Sequence, residues 1–389
     1  MECPHRPPCP GCPRFGARGI PAAALAALAT LADTAGLPAI RVVEGPARGY
    51  RHRARLAVRG RSASPKVGIF QEGSHQIVDV PRCVVHHPLI NEVVGAVKAA
   101  IRRTGVSLYR DASHRGCLRY LQVVVERATQ RAQVVLVAND TTPHALAPLA
   151  ETLASALGPR LHSLWWNGNA DRTNTILGRF WHRWSGPEAV CETIGGARVF
   201  YPPGAFGQAN LPLADQLVAL VQSWMPNGAR VLELHAGVGA IGLGLVGRAG
   251  GVVFNEVSAD ARAGLDMGIA ALGASAGQTR VLDGRAAEHL SALAEADLVV
   301  CDPPRQGLEP ALLAELAAMP PPRLVLVSCR LEAFLAEAQT LLAGGRTTLR
   351  ALAPFVLLPY TEHVETVALF TRRQPRVRID HISRTQRGT

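Results

Sequence analysis

The sequence predicts an α/β protein in two parts: a doubly wound sheet over the second half and an α+β segment ahead of it. Three observations carry this. From residue 211 onward, short apolar runs alternate with helical stretches, the pattern of strands and crossover helices. Several runs, Leu298-Val299-Val300-Cys301 and Leu324-Val325-Leu326-Val327 among them, are continuously apolar, as strands of a parallel sheet covered on both faces are. Each ends in a loop at the carboxyl end of its strand, where such sheets collect ligands and reactive groups.

The 389 residues, 48% of them hydrophobic, leave room for two or three domains with a sizeable core. The charge of +11 is unevenly spread. Residues 1–200 hold 25 Lys+Arg against 13 Asp+Glu (+12), residues 201–370 hold 10 against 16 (−6), and residues 371–389 hold 6 against 1 (+5). Nearly all the positive charge is Arg, which makes forked contacts to phosphate and stacks on bases. A polyanion met by the front half and the tail is the expectation. The boundaries predicted are 1–200, 201–373 and a basic tail at 374–389.

The opening stretch holds Cys3, Cys9 and Cys12 in a Pro-rich loop, spaced C-x5-C-x2-C, with Cys83 as a fourth candidate after the strand-like residues 76–80. Three thiols in so short a loop, with no core of its own, suggest a metal site; zinc and an iron–sulfur cluster both accept four thiolates. The Ala/Leu run at 21–32 resembles a secretory signal. It reads instead as an amphipathic helix, since cleavage would discard the three cysteines ahead of it. No segment reaches the ~20 apolar residues of a membrane span. A cytoplasmic monomer is expected, with its eight cysteines as thiols or metal ligands.

Next, Arg51, Arg53, Arg55, Arg59 and Arg61 alternate, so on a strand they share one face beside Tyr50, with Phe70 and His75 nearby in sequence. A helix is predicted over 88–104, a hairpin from strands at 118–127 and 133–138, and a strand through Leu164-Trp165-Trp166. The second half then reads as helix 211–225, strand 231–234, helix 241–249, strand 251–256 and helix 259–273. Strand 296–302, helix 309–318, strand 324–328, helix 331–343 and closing strands follow.

Three loops of the second half carry chemistry. Gly237-Val238-Gly239-Ala240-Ile241-Gly242 matches G-x-G-x-x-G after a strand, and Glu256 ends the next strand, where a carboxylate can take ribose hydroxyls. A dinucleotide and S-adenosylmethionine both fit such a turn. Asp302-Pro303-Pro304-Arg305 leaves its strand through a rigid proline exit. Cys329 ends the Leu324–Ser328 run, and His363-Val364-Glu365 lies downstream. A lone cysteine is more often a buried apolar group; here it is accompanied by carboxylates and a cofactor turn.

Together these stretches resemble the RNA 5-methyluridine methyltransferases that use S-adenosylmethionine. The resemblance runs through Tyr50-Arg51-His52-Arg53-Ala54-Arg55, Ser74-His75-Gln76-Ile77-Val78-Asp79, Ala205-Phe206-Gly207-Gln208-Ala209-Asn210, the glycine turn, Asp302-Pro303-Pro304-Arg305-Gln306-Gly307, Val327-Ser328-Cys329 and His363-Val364-Glu365. It implies a Rossmann-like methyltransferase domain behind an α+β RNA-recognition domain. It implies Cys329 as nucleophile and Glu365 as proton acceptor, with Gln208, His235, Gly237, Gly239, Ala240, Glu256 and Asp302 at the cofactor. Cys3, Cys9, Cys12 and Cys83 are similar to the branch that holds a [4Fe–4S] cluster and modifies 23S ribosomal RNA. Transfer RNA is the alternative substrate.

The chain departs from the family pattern at His235-Ala236, where an aromatic and a Cys are usual, at Ala240, a polar position, and at Arg330, usually Asn. No RNA-binding β-barrel is expected ahead of Cys3. Two other readings compete. An amino-directed base methyltransferase would leave Cys329 without a role. A cluster-bearing RNA-binding or redox-sensing protein with a decayed site would bind no cofactor.

Overall fold

The computed structural model describes residues 2–373; the basic tail predicted at 374–389 lies outside the described residues. Helix α1 (Ala22–Thr34) comes first and buries the single stripe Ala24, Leu28 and Ala32, the spacing of one helix face. Strands β1 (Arg53–Arg61), β2 (Ser64–Phe70) and β3 (Ile77–Asp79) follow, then helix α2 (Pro88–Thr104). Pro88 at its first turn, the αL Gly105 just past its end and Arg102 and Arg103 in its last turn set the boundaries that the sequence predicts. Strands β4 (Leu118–Glu126) and β5 (Arg131–Ala138) form the expected hairpin; helix α3 (Ala147–Leu157) then crosses to β6 (Leu161–Gly168) and β7 (Phe180–Ser185).

These seven strands form one sheet in the order β3-β2-β1-β4-β5-β6-β7, antiparallel except at β5–β6. Leu56, Val58, Leu121, Val123, Leu136 and Trp166 point to one face, where α2 and α3 cover them through Val93, Val97, Leu149 and Leu153. A hairpin of β8 (Val190–Ile194) and β9 (Ala197–Tyr201) then leads to α4 (Leu211–Ser223).

The second sheet comprises β10 (Arg230–Leu234), β11 (Gly251–Glu256), β12 (Thr279–Asp283), β13 (Leu298–Cys301), β14 (Arg323–Ser328), β15 (Thr347–Phe355) and β16 (Glu365–Arg372). Its order is β12-β11-β10-β13-β14-β16-β15. The crossovers include α5 (Ala259–Ala270), α6 (Pro310–Ala318) and α7 (Leu331–Ala343), all close to their predicted bounds. The first five strands are parallel, and β16 is antiparallel to both its neighbours. The cysteine strand β14 is therefore buried as expected, but between one parallel and one antiparallel partner. Helix α1 docks on this sheet, with Leu28 in one core with Leu232, Phe334 and Phe370.

Two elements differ from the sequence reading. Residues 241–249 form only a short 3₁₀ turn at Leu243–Leu245. The glycines there serve close packing: a Cβ at Gly242 would collide with the Glu233 carboxylate, and one at Gly244 with the carbonyl of Gly195. Strand β12 has no continuous apolar run because it is the sheet's edge and only part-buried.

Candidate active site

The β14–β16 ladder sets the centre of the site. Val327 pairs with Val367 and Ser328 with Thr366, so the next residues outward on these antiparallel strands are Cys329 and Glu365. Asp302 leaves the neighbouring strand β13, which pairs with β14 through Cys301 and Leu326. Glu365 is buried and its Oε1 has no hydrogen-bond partner. Burial first, then the Asp302 charge, pushes its carboxyl well above the usual range. Burial likewise raises Asp302 to about 7. Two buried carboxyls this close resist ionising together.

Cys329 is half-buried, and its thiol is raised by burial, then by Glu365 and Asp302, while Arg305 pulls the other way. The low-pKa thiol that nucleophilic chemistry would favour is thus not what the surroundings supply. At neutral pH the resting sulfur keeps its proton.

At the end of β10 the chain turns through His235 and Gly237, both at φ 57°, and Gly239 at φ 77°. Gly237 N–H donates to Glu256 Oε2 and Ser258 N–H to its Oε1, both at 2.7 Å. Each carboxylate oxygen keeps a further lone pair for a ligand hydroxyl. A Cβ at Gly239 would press on Leu265 at 2.6 Å, whereas the Cβ direction of Gly237 opens into free space. His235 is part-buried with Nδ1 lacking a partner, and burial lowers its pKa. Ala240 packs against the apolar core. Gln208 lines a crevice with Arg53, Tyr201 and Leu211, where β1, β9 and α4 meet.

The Asp302–Leu308 loop is held from behind by α7. Leu308 N–H donates to Glu337 Oε1 at 2.6 Å, and Gly307 packs so closely on that carboxylate that a Cβ would collide with it. Arg305 projects from this loop, exposed.

The four cysteines of the N-terminal expectation share one neighbourhood. Cys12 and Cys83 pack with Phe15, Tyr50 and Tyr360. The Cys12 thiol is raised to about 11 by burial, and then by Cys83, Cys9 and Cys3 in turn. Among the described residues, however, no group of three or more His, Cys, Asp or Glu side chains is gathered closely enough to hold a metal ion. This neighbourhood is tied to the segment before Glu365: Arg14 N–H donates to the Tyr360 carbonyl at 3.0 Å, Phe15 packs on the Tyr360 ring at 4.9 Å, and Tyr50 Oη donates to the Pro359 carbonyl at 3.4 Å.

The arginine face is corrected in part. Arg51 lies before β1, bridged to His86 and Asn210, and its Nε is buried without a partner. Arg53 donates to the Ala205 carbonyl at 2.7 Å and covers the Tyr201 ring. Arg59 is buried; it pairs with Asp111 at 2.6 Å and lies over the rings of Phe70, Tyr109 and Tyr120. Of the alternating set, only Arg55 and Arg61 are exposed. The sequence reading passed over Arg179-Phe180-Trp181-His182-Arg183-Trp184, where basic and aromatic residues interleave on the exposed strand β7. That interleaving was the available signal.

A family model described as conserved hypothetical protein 95 matches residues 217–337. An uncharacterised RNA methyltransferase of Protochlamydia amoebophila is 35% identical over 339 residues, covering 85% of this chain and 88% of the relative. One from Geobacter sulfurreducens is 34% identical, covering 84% of this chain and 66% of the relative. Among solved structures, the Pyrococcus abyssi tRNA (uracil-54, C5)-methyltransferase in complex with S-adenosyl-L-homocysteine aligns with a TM-score of 0.73 and 23% identity, over 90% of this chain and 83% of its own. At that identity the likeness is one of fold.

Proposed function

This chain belongs to the RNA methyltransferases, and we propose that it transfers a methyl group from S-adenosylmethionine to C5 of a uridine in RNA, with 23S ribosomal RNA as the substrate. The observation that carries the reading is the placement of Cys329 and Glu365 on facing ends of two paired strands, with Asp302 beside them.

The glycine turn suits the donor: an open cradle at Gly237, an orphaned His235 Nδ1 and the Glu256 carboxylate face one region. His235, Gly237, Gly239, Glu256 and Asp302 would hold it, with Gln208 at the neighbouring crevice and Ala240 contributing backbone alone. When bound, the donor supplies an electrophilic methyl group.

The residues of this chain do the rest. Uracil C5 is a poor nucleophile until sulfur adds at C6. Cys329 gives up its proton to solvent and forms the S–C6 bond, and the electron pair of the C5–C6 double bond moves toward C5 and the C4 carbonyl. C5 then takes the methyl group. Glu365, ionised, removes the remaining C5 proton; the C5–C6 double bond returns and the sulfur leaves with its bonding pair. The uridine must leave its stack to reach the thiol. A [4Fe–4S] cluster on the four cysteines rests on their donor chemistry alone, since among the described residues no three such ligands are gathered for a metal ion; zinc is the lesser alternative, and no step uses either.

Two variants test the scheme. Cys329→Ala should bind RNA and donor yet give neither covalent complex nor product. Glu365→Gln should form the adduct and methylate it, then stall, so that a labelled protein–RNA species survives a denaturing gel. Methylation by Cys329→Ala, or a well-folded Glu365→Gln with no labelled adduct, would remove both assignments.

A further inference from the structure

Strand β7 is the outer edge of the first sheet and pairs only with β6 in the sheet order. An exposed edge is normally short, charged or covered, because it invites another strand. This one is charged, but it is also rich in rings. Four of the chain's five tryptophans are Trp165, Trp166, Trp181 and Trp184. Phe180 is 43% exposed; Arg179, His182 and Arg183 are exposed, and Trp181 and Trp184 are half-covered. Among the described residues neither Arg179 nor Arg183 pairs with a carboxylate. Instead, Arg179 lies over the Phe180 ring and Arg183 over the Trp165 ring, each 5.5 Å from its centre. Trp165 and Trp181 meet edge to face at 6.3 Å.

Of these residues, Trp181 and Arg183 share the Trp165 face, which no helix covers, whereas Phe180, His182 and Trp184 alternate to the Trp166 side, where α2 and α3 pack. The registers run Arg55–Gln122–Val135–Trp165–Arg183 across five strands, with Tyr120 and Trp181 in the adjacent row. Helices α2 and α3 occupy the opposite face. This face, exposed at Arg55 and Arg183 with Gln122 and Val135 buried between them, also leads toward the active site. Arg55 donates to Gln122 Oε1 at 2.6 Å, and Gln122 Nε2 donates to the Pro203 carbonyl at 2.7 Å. The loop beyond Pro203 carries Phe206, 71% exposed, and Gln208, and is tied by Asn210 Nδ2 to the Leu357 carbonyl at 3.1 Å.

We infer that strand β7, with Arg55 on the same sheet face, is a second contact surface for the RNA, one that takes unpaired nucleotides. Trp181 supplies a ring on which a base stacks, the Arg183 guanidinium over Trp165 is a further stacking plane, and Arg55 and Arg179 meet phosphates. Stacking of this kind tolerates any base, so the surface adds affinity for single-stranded RNA near the target without reading its sequence. The excess of +12 in residues 1–200 fits a polyanion. The inference rests on the reading that RNA is the substrate.

The test uses the full chain, a twelve-nucleotide unstructured oligouridine and a duplex of the same length. Wild-type protein should bind the single strand more tightly than the duplex and show quenched tryptophan fluorescence on binding. Trp181→Ala and Arg183→Glu should each weaken the single-strand affinity at least about fivefold, while affinity for S-adenosylhomocysteine and the circular dichroism spectrum stay at wild-type values. Folded variants with unchanged affinity would overturn the inference, as would a concentration-dependent dimer that either substitution abolishes, since the edge would then be a protein interface. If wild-type protein methylates ribosomal RNA while the variants bind as it does, only this inference fails. If wild-type protein neither binds the single strand nor methylates RNA, the substrate reading fails with it.

Discussion

Glu233 Oε2 accepts a 2.8 Å hydrogen bond from the backbone N–H of Gly242, so a buried acid inside the second sheet fastens the glycine turn. Burial pushes this carboxyl up to about 8. An acid whose pKa is higher folded than unfolded stabilises fully below its unfolded value, and loses that contribution as pH climbs through the folded value. The melting temperature should therefore fall between about pH 5 and pH 8, a window that Asp302, raised to about 7, shares. Glu233→Gln keeps an acceptor for Gly242 and removes the titration, so its melting temperature should fall less over that window. Parallel declines in both proteins, followed by calorimetry, would place the pH dependence elsewhere.

The raised thiol of Cys329 and the raised carboxyl of Glu365 make a kinetic statement. Both must lose a proton in the proposed reaction, so the single-turnover methylation rate should keep rising with pH beyond neutrality. Arg305 is the charge that lowers the thiol pKa. Arg305→Ala should move the rising limb to higher pH without lowering donor affinity. A profile flat from pH 6 to 9 would contradict this.

Arg59 is predicted to be a structural residue, with no RNA contact of its own. Asp111→Ala leaves a buried guanidinium without its carboxylate. Because the Asp111 side chain is 30% exposed, the loss should be smaller than for a fully buried pair, roughly 2 kcal/mol by urea denaturation. RNA affinity of the folded variant should match wild type, and Arg55→Ala should weaken it.

Protein purified without oxygen should carry about four irons per chain and absorb broadly in the blue, if Cys3, Cys9, Cys12 and Cys83 take a [4Fe–4S] cluster. Cys12→Ser should lose the iron. Stoichiometric zinc in colourless protein would exclude the cluster.

The centre of the second sheet was legible because strands such as β13 and β14 are continuous apolar runs and its helices have plain boundaries; the observed α7 begins and ends where its pattern does. The chemistry-bearing loops were legible because glycine, proline, cysteine and carboxylates fall at strand ends. Residues 241–249 were not, since helix-like periodicity there gave way to glycines required for contact with Glu233 and Gly195. Arg59 was misjudged because strand alternation reports a shared face, not what covers it; Asp111 and three rings arrive from elsewhere in the chain. The raised Cys329 thiol depends on its burial and then on which acids the fold brings beside it, and no spacing in the sequence reports either.

The docking of α1 has a consequence for how the chain is made. Leu28 shares one core with Leu232, Phe334 and Phe370, and Arg14 N–H donates to the Tyr360 carbonyl, so these early segments find their complete surroundings only with segments made more than 300 residues later. At about 5–20 residues per second, a ribosome needs roughly 15–70 s to cover the intervening stretch. For that interval α1 has no surface to bury its stripe on, and Cys12 lacks the Tyr360 side of its surroundings. The first sheet, by contrast, is complete once β7 emerges, about halfway through. Assembly should thus run from the middle outward, with the amino-terminal loop closing last over a molecule already folded.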